Sequence, residues 1–187
     1  MSPEEFKQHQ LNIFYGVRWL TRDTDLDQYR YSGYTLGEKI LPGEKVIHIN
    51  CDTNPFKGMV SNLVGIDPFS DVADKKMTVD QFLYTHIAEK FNVAFCLGGI
   101  NLGTQADIQI QIASMIKTLR QRDARIYWRC YTIPPDDVTN FFVWSAELLF
   151  QFSTMFDFEI IELEEDTNGT LYCEWWSNNR SSTLGPT

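Results

Sequence analysis

Hydrophobic positions recur along this chain with two periods, one helical and one of strands. Over residues 3 to 20, Phe6, Leu11, Phe14, Val17 and Leu20 fall mostly three or four residues apart. Ser2-Pro3-Glu4-Glu5 precedes them as an N-cap, an N1 proline and first-turn acids, so the spacing predicts a helix. Residues 26 to 41 predict a second helix that stops at Pro42-Gly43, its continuity weakened by Gly33 and Gly37. Lys45 to Asn50 is a short β-branched run bounded by turn residues and reads as a buried strand. Leu63 to Ile66 predicts a second strand ending at Asp67-Pro68, and a third short strand is expected near Lys76 to Val79. A helix follows from Val79 to Lys90, with Phe82, Leu83, Ile87 and Ala88 inward. Val93 to Leu97 is almost wholly apolar, the habit of a strand covered on both faces.

Helical spacing resumes at Ile108, Ile112, Met115, Ile116 and Leu119, with Arg120 to Arg125 placed to meet the negative end of that helix dipole. Arg125 to Cys130 reads as the next strand. Beyond Pro134-Pro135-Asp136-Asp137, Val143 to Met155 predicts a helix burying Trp144, Leu148, Phe152 and Met155. Two strands close the chain, Phe158 to Leu163 and Thr170 to Trp176, joined through the hairpin signal Asn168-Gly169.

Strands alternating with helices, then a terminal hairpin, predict an α/β protein: a three-layer αβα sandwich with a parallel sheet and an antiparallel addition at its edge. One domain is expected over residues 1 to 177, with N-terminal helices in 1 to 41 and the sheet-forming core in 42 to 177. Residues 178 to 187 read as a flexible tail. Ligands of such sheets bind beyond the carboxyl ends of the strands, where strand order reverses. That rule singles out Asn50 to Asn54, Asp67, Gly98 to Asn101 and Arg129.

Composition narrows the partners. The 187 residues carry 25 acidic against 16 basic side chains, a formal charge of −9, which disfavours phosphate backbones and anionic membranes. Cys51, Cys96, Cys130 and Cys173 form no CxxC or CxxH pair and sit in or beside apolar runs, as reduced core cysteines do. No metal site is read from them. The acidic N-terminus lacks the basic start of a signal peptide, and no apolar run approaches membrane-spanning length, so a cytoplasmic protein is expected.

The segments LVGIDPF (63–69), FNVAFCLGGINLG (91–103), ARIYWRC (124–130) and LYCEWW (171–176), in this order and with the closing hairpin, resemble class I S-adenosylmethionine-dependent methyltransferases, in particular small phage-encoded methyltransferase-like proteins. The resemblance spans about residues 30 to 176. It implies a Rossmann-like seven-strand sheet ordered 3-2-1-4-5-7-6, S-adenosylmethionine across the first two strand ends, and an acceptor near the fourth and fifth. If phage-encoded, the protein would work in the host cytoplasm.

The resemblance also assigns residues. The loop Asn50, Cys51, Asp52 and Asn54 would approach the methionine part of the cofactor. Asn50, Asp52 and Asn54 stand where that family uses glycine, and are among the non-glycine residues that best tolerate left-handed backbone. His48 stands where the family's strand commonly bears an acid that meets the cofactor's amino group; in an apolar strand it also reads as a core histidine. Asp67, with Pro68 beside it, would accept the ribose hydroxyls, or simply end its strand in an Asp-Pro turn. On the ribose assignment, Asp67→Ala weakens cofactor binding and leaves stability nearly unchanged. Asp80 would meet the adenine amino group, or serve only as a helix N-terminal acid. Cys96 and Gly98 would pass beside the cofactor, Asn101 would orient the acceptor, and Arg129 among aromatics would hold an anionic or planar acceptor, unless it pairs with an acid such as Glu174.

The implied activity is methyl transfer from S-adenosylmethionine to a small molecule or other unidentified acceptor. Such transfer needs alignment more than acid–base chemistry. The alternative, to which the exchanged glycines and His48 point, is a degenerate, non-catalytic binding or regulatory protein of the same fold. A DNA base methyltransferase is disfavoured, because Gly99-Ile100-Asn101-Leu102 stands where base-flipping chemistry would want an N/D-P-P-Y/F segment.

Overall fold

The apolar run Val93–Leu97 becomes the third strand of a six-stranded sheet, every residue of it buried. The computed structural model describes residues 33 to 181 other than 135, 137 and 166 to 168. The helix expected over residues 3 to 20 and the chain beyond 181 lie outside them. In chain order the elements are α1 (Gly33–Glu38), β1 (Val46–Ile49), β2 (Leu63–Ile66), α2 (Val79–Thr85), β3 (Val93–Leu97), α3 (Gln105–Thr118), β4 (Arg125–Tyr131), α4 (Ala146–Met155), β5 (Phe158–Glu165) and β6 (Thr170–Ser177).

The sheet order is β2-β1-β3-β4-β6-β5. β1 pairs in parallel with β2 and β3, and β3 with β4; β6 then runs antiparallel to both β4 and β5. The expected hairpin is therefore present. Asn168 lies outside the described residues, while Gly169 has φ 71° and its carbonyl accepts the backbone N–H of Thr132. The strand expected near Lys76 to Val79 is not formed among the described residues. An isolated parallel bridge between Ile66 and Lys75 stands at that edge, and among the described residues the sheet has six strands, against the seven expected.

Strand alternation gives the sheet two faces. Ile47, Ile49, Ala94, Cys96, Ile126 and Trp128 face α2, α3 and α4 in the larger core, whose helices contribute Phe82, Ile112, Met115 and Phe152. Val46, Val93, Phe95, Leu97 and Tyr127 point the other way, where Leu36 of α1 and the loop residues Phe56 and Val60 pack on them. The crossover from β1 to β2 contains only turns, so among the described residues this face carries a single short helix.

Helix starts follow their caps. Thr78 with Gln81 and Thr104 with Asp107 form reciprocal capping boxes, and Ser145 caps α4. The ends fall short of the periodicity. α1 stops at Glu38 rather than Leu41, and the part of the expected helix before Gly33 is not described. α2 stops at Thr85 because His86 leaves helical geometry and stacks on Phe82, and Ile87 and Ala88 are exposed rather than inward. α3 stops at Thr118, with Leu119 extended and the Arg120 N–H on the Phe91 carbonyl, so only Lys117 among the basic residues lies in its last turn. Trp144 precedes α4 instead of belonging to it; Leu149 and Phe152 are its buried apolar face, Leu148 is half-buried, and Met155 is exposed. The start of the expected tail is also ordered: Asn178 bonds Asp157, and Ser181 bonds the Asp123 carboxylate. No helix among the described residues is long and apolar enough to cross a membrane.

Candidate functional site

Strand order reverses between β1 and β3, and a cavity of about 550 Å³ opens beyond the carboxyl ends of β1, β2 and β3. Ile49 and Asn50 reach it from β1, Pro68 and Phe69 from β2, and Gly99, Ile100, Leu102 and Gly103 from the turn after β3. Thr78, Val79 and Asp80 enter at the start of α2, Asp107, Ile110 and Gln111 along α3, and Asn140 from the loop after β4. Among the described lining residues two are carboxylates and none is Lys, Arg or His. That environment favours a cationic or donor-rich ligand over a phosphate.

The loop after β1 adopts the backbone that its composition permits. Asn50, Asp52 and Asn54 have φ of 49°, 48° and 52°, three alternate left-handed residues where only glycine would be free of strain. Each is held by a side-chain or main-chain bond. Asn50 Nδ2 donates to the Gly99 carbonyl. The Asp52 N–H donates to Asp67 Oδ2 at 3.0 Å. Asn54 Nδ2 donates to the Val72 carbonyl at 3.2 Å. Gly65 of β2 leaves room for this loop: a Cβ there would come 2.6 Å from Asn54 Oδ1 and 2.9 Å from Cys51 Sγ.

Asp67 is fully buried, and besides Asp52 its carboxylate accepts the backbone N–H groups of Phe69 at 2.8 Å and Ser70 at 3.1 Å. Its oxygens thus bond the protein's own loops, and Asp67 is not among the residues that line the cavity. Asp80 does reach the cavity, where it accepts the Ser114 hydroxyl.

The turn after β3 is pinned on several sides. A Cβ at Gly99 would collide with the Ile49 carbonyl oxygen, so this turn rests directly on the end of β1. Gly98 has φ 90°, and its carbonyl accepts Asn101 Nδ2. The Asn101 carbonyl accepts the Phe142 N–H at 2.7 Å, and Trp144 Nε1 donates to the Ile100 carbonyl at 3.0 Å.

Of the residues singled out from the sequence, Asn50, Pro68 and Asp80 line the cavity, and Gly98 and Asn101 flank its wall in the same turn. Cys51, Asp52, Asn54 and Cys96 are not among its lining residues. His48 and Arg129 are not brought to it. Side chains alternate across a strand, so His48 points to the opposite face from Ile49 and meets the edges of Phe56 and Phe95 at 5.5 and 5.9 Å. Burial, then the Arg129 guanidinium, push its pKa down to about 3, so it is a neutral core histidine. Arg129 is buried on that same face and donates to the Leu97 carbonyl at 3.3 Å. Sequence reading missed Phe69, Asp107, Gln111 and Asn140. The Thr104–Asp107 capping box behind Gly103 was the available signal for the second carboxylate.

Neither a family model nor a curated protein sequence matches this chain. Solved structures do. Magnesium protoporphyrin IX methyltransferase from Synechocystis PCC 6803 with bound S-adenosylhomocysteine superposes with a TM-score of 0.58 at 13% identity, covering 86% of this chain and 84% of that one. The N-methyltransferase NodS from Bradyrhizobium japonicum WM9, also in complex with S-adenosylhomocysteine, gives 0.54 at 15% identity over 72% and 78%. The glycopeptide N-methyltransferase MtfA complexed with S-adenosylmethionine gives 0.57 at 12% identity over 76% and 90%. At such identities the likeness establishes the fold alone: this chain has the α/β fold of S-adenosylmethionine-dependent methyltransferases.

Proposed function

We infer that the chain binds S-adenosylmethionine in the cavity beyond β1, β2 and β3 and transfers its methyl group to a small-molecule acceptor. The observation that carries this reading is the cavity itself, placed at the strand-order reversal and bearing the carboxylates Asp80 and Asp107 without a lining cation among the described residues. A sulfonium cofactor suits that charge, whereas a dinucleotide would bring phosphates to two carboxylates. The superposed enzymes that carry S-adenosylmethionine or its demethylated product support the same choice.

In this reading Pro68 and Phe69 form an apolar wall, Asp80 accepts from an exocyclic amine, and Asn50 and the Gly98–Gly99 backbone border the reacting end. When bound, the cofactor supplies a methyl group activated by a positive sulfur. The protein's contribution is alignment, for which the pinned turn Gly98–Asn101 is suited. Asn101, tied back to Gly98, orients the acceptor side; Arg129, on the far face, acts on it only through the β3–β4 framework.

One observation favours a second reading, a binding or regulatory protein without catalysis: the Asp67 carboxylate is already satisfied by three backbone N–H groups. Isothermal titration with S-adenosylmethionine and S-adenosylhomocysteine tests the shared premise, and absence of heat for both at millimolar concentration would remove it. Formation of S-adenosylhomocysteine when the cofactor is incubated with a small-molecule extract then separates enzyme from binding module.

A further inference from the structure

The end of the cavity nearest the strand-order reversal is closed upon itself. Asn50 Nδ2 meets the Gly99 carbonyl and Asn101 Nδ2 meets the Gly98 carbonyl. An amino-acid arm lying between the ends of β1 and β3 needs carbonyl acceptors for its ammonium and amide donors for its carboxylate. Here two such carbonyls, those of Gly98 and Gly99, are taken by the Asn101 and Asn50 amides, while Asn101 Oδ1 is buried without a partner. The Gly99 backbone presses on the Ile49 carbonyl too closely for even a Cβ, so the turn after β3 and the end of β1 touch there. The Asp52 N–H, a further donor in this loop, is held by Asp67.

The rest of the cavity has a different character. Pro68, Phe69, Ile100 and Leu102 supply apolar walls, and Asp80 and Gln111 supply polar groups between them. Flat apolar walls with a carboxylate acceptor suit an amine-bearing heterocycle. Among the described residues no lining cation meets a ligand carboxylate, and Asp80 and Asp107 repel one.

On the reading that this cavity is the cofactor site, we propose that it holds the cofactor by its nucleoside alone and leaves the amino-acid arm in solvent, so that its ligand class is the 5′-thioadenosines as a whole. The site then does not distinguish S-adenosylhomocysteine from 5′-methylthioadenosine, which lacks the arm.

The test is isothermal titration of the full chain with S-adenosylhomocysteine, 5′-methylthioadenosine and adenosine 5′-monophosphate. The first two should bind within about threefold of each other, and the monophosphate at least about tenfold more weakly, because a held carboxylate or an accepted phosphate would be worth tenfold or more. The variant Asn50→Gly keeps a backbone φ of 49° that glycine adopts freely and releases the Gly99 carbonyl. In it S-adenosylhomocysteine should gain about tenfold over 5′-methylthioadenosine, the scale of one hydrogen bond to a charged group. Wild-type binding of S-adenosylhomocysteine more than about tenfold tighter than 5′-methylthioadenosine overturns this inference and leaves the cofactor reading standing. Failure of both thioadenosines to bind at millimolar concentration overturns the cofactor reading and the inference together.

Discussion

The Asp67 carboxylate accepts the backbone N–H of Asp52 at 3.0 Å and thereby fastens the loop after β1 to the end of β2. With Phe69 and Ser70 as its other donors, it accepts from two loops as it would accept from the two hydroxyls of a ribose. Substituting it therefore tests fold before function.

Asp67→Ala leaves three backbone donors without their acceptor in a fully buried position. Unfolding stability should fall by roughly 1.5–3 kcal/mol, the range for hydrogen bonds to a charged group. Urea denaturation measures it. A change below about 0.5 kcal/mol, the size of an ordinary surface substitution, would show that the carboxylate is free for a ligand after all.

Gly99→Ala drives a methyl group into the Ile49 carbonyl, and neither backbone can yield without shifting a strand end. A loss of about 1–3 kcal/mol is expected, as for overpacking elsewhere. Gly43→Ala is the control, since nothing lies within 4 Å of a Cβ there and its φ of 86° carries the conformational strain alone. Equal losses in the two variants would refute the close contact.

His48 should make stability depend on pH. Its folded pKa of about 3 lies below the unfolded value of 6.5, so between those values the unfolded chain binds more protons and stability falls as pH falls. From pH 6.5 to 4.5 the loss should be roughly 2 kcal/mol, at 1.36 kcal/mol per pH unit once the unfolded histidine is charged. His48→Leu carries no titrating group and should flatten that part of the curve. Parallel curves for wild type and variant would place a charged histidine in the core and contradict the burial seen here.

All four cysteines are free and buried. Burial pushes the Cys51 and Cys173 thiols up to about 12, with the Asp67 charge adding to the effect at Cys51. Burial raises Cys96 and Cys130 as well. The native protein should react negligibly with a thiol reagent at pH 8 and release four equivalents in guanidinium. Fewer than four under denaturing conditions would mean a disulfide.

Strands were the legible part of this chain, because Val46–Ile49, Leu63–Ile66 and Val93–Leu97 are short apolar runs that only a doubly covered sheet explains. The left-handed loop was legible for a related reason: Asn50, Asp52 and Asn54 are residue types that relieve that strain. Helix ends were not, since Ile87 and Met155 keep the helical spacing yet face solvent beyond or at the last turn. Nor were the partners of Asp67. A strand-ending aspartate has the same sequence signature whether its oxygens meet a ligand or the backbone amides of its own loop. His48 shows the complementary limit, because its single polar position in an apolar strand does not disclose which face of the sheet carries the cavity.

Among the described residues β5 forms one margin of the sheet, and it bears Glu159, Glu162, Glu164 and Glu165 among its eight residues, with a register shift between Ile160 and Glu162. A margin of that kind invites backbone pairing with another molecule. Glu159 is paired with Arg180 and Glu162 with Lys39, yet bringing two such margins together would still crowd carboxylates along one seam in a chain whose formal charge is already −9, and the irregular pleat would break the match between the ladders. Like charges on two copies would therefore oppose pairing along this margin, most at neutral pH and low salt and least where the carboxylates are protonated or screened.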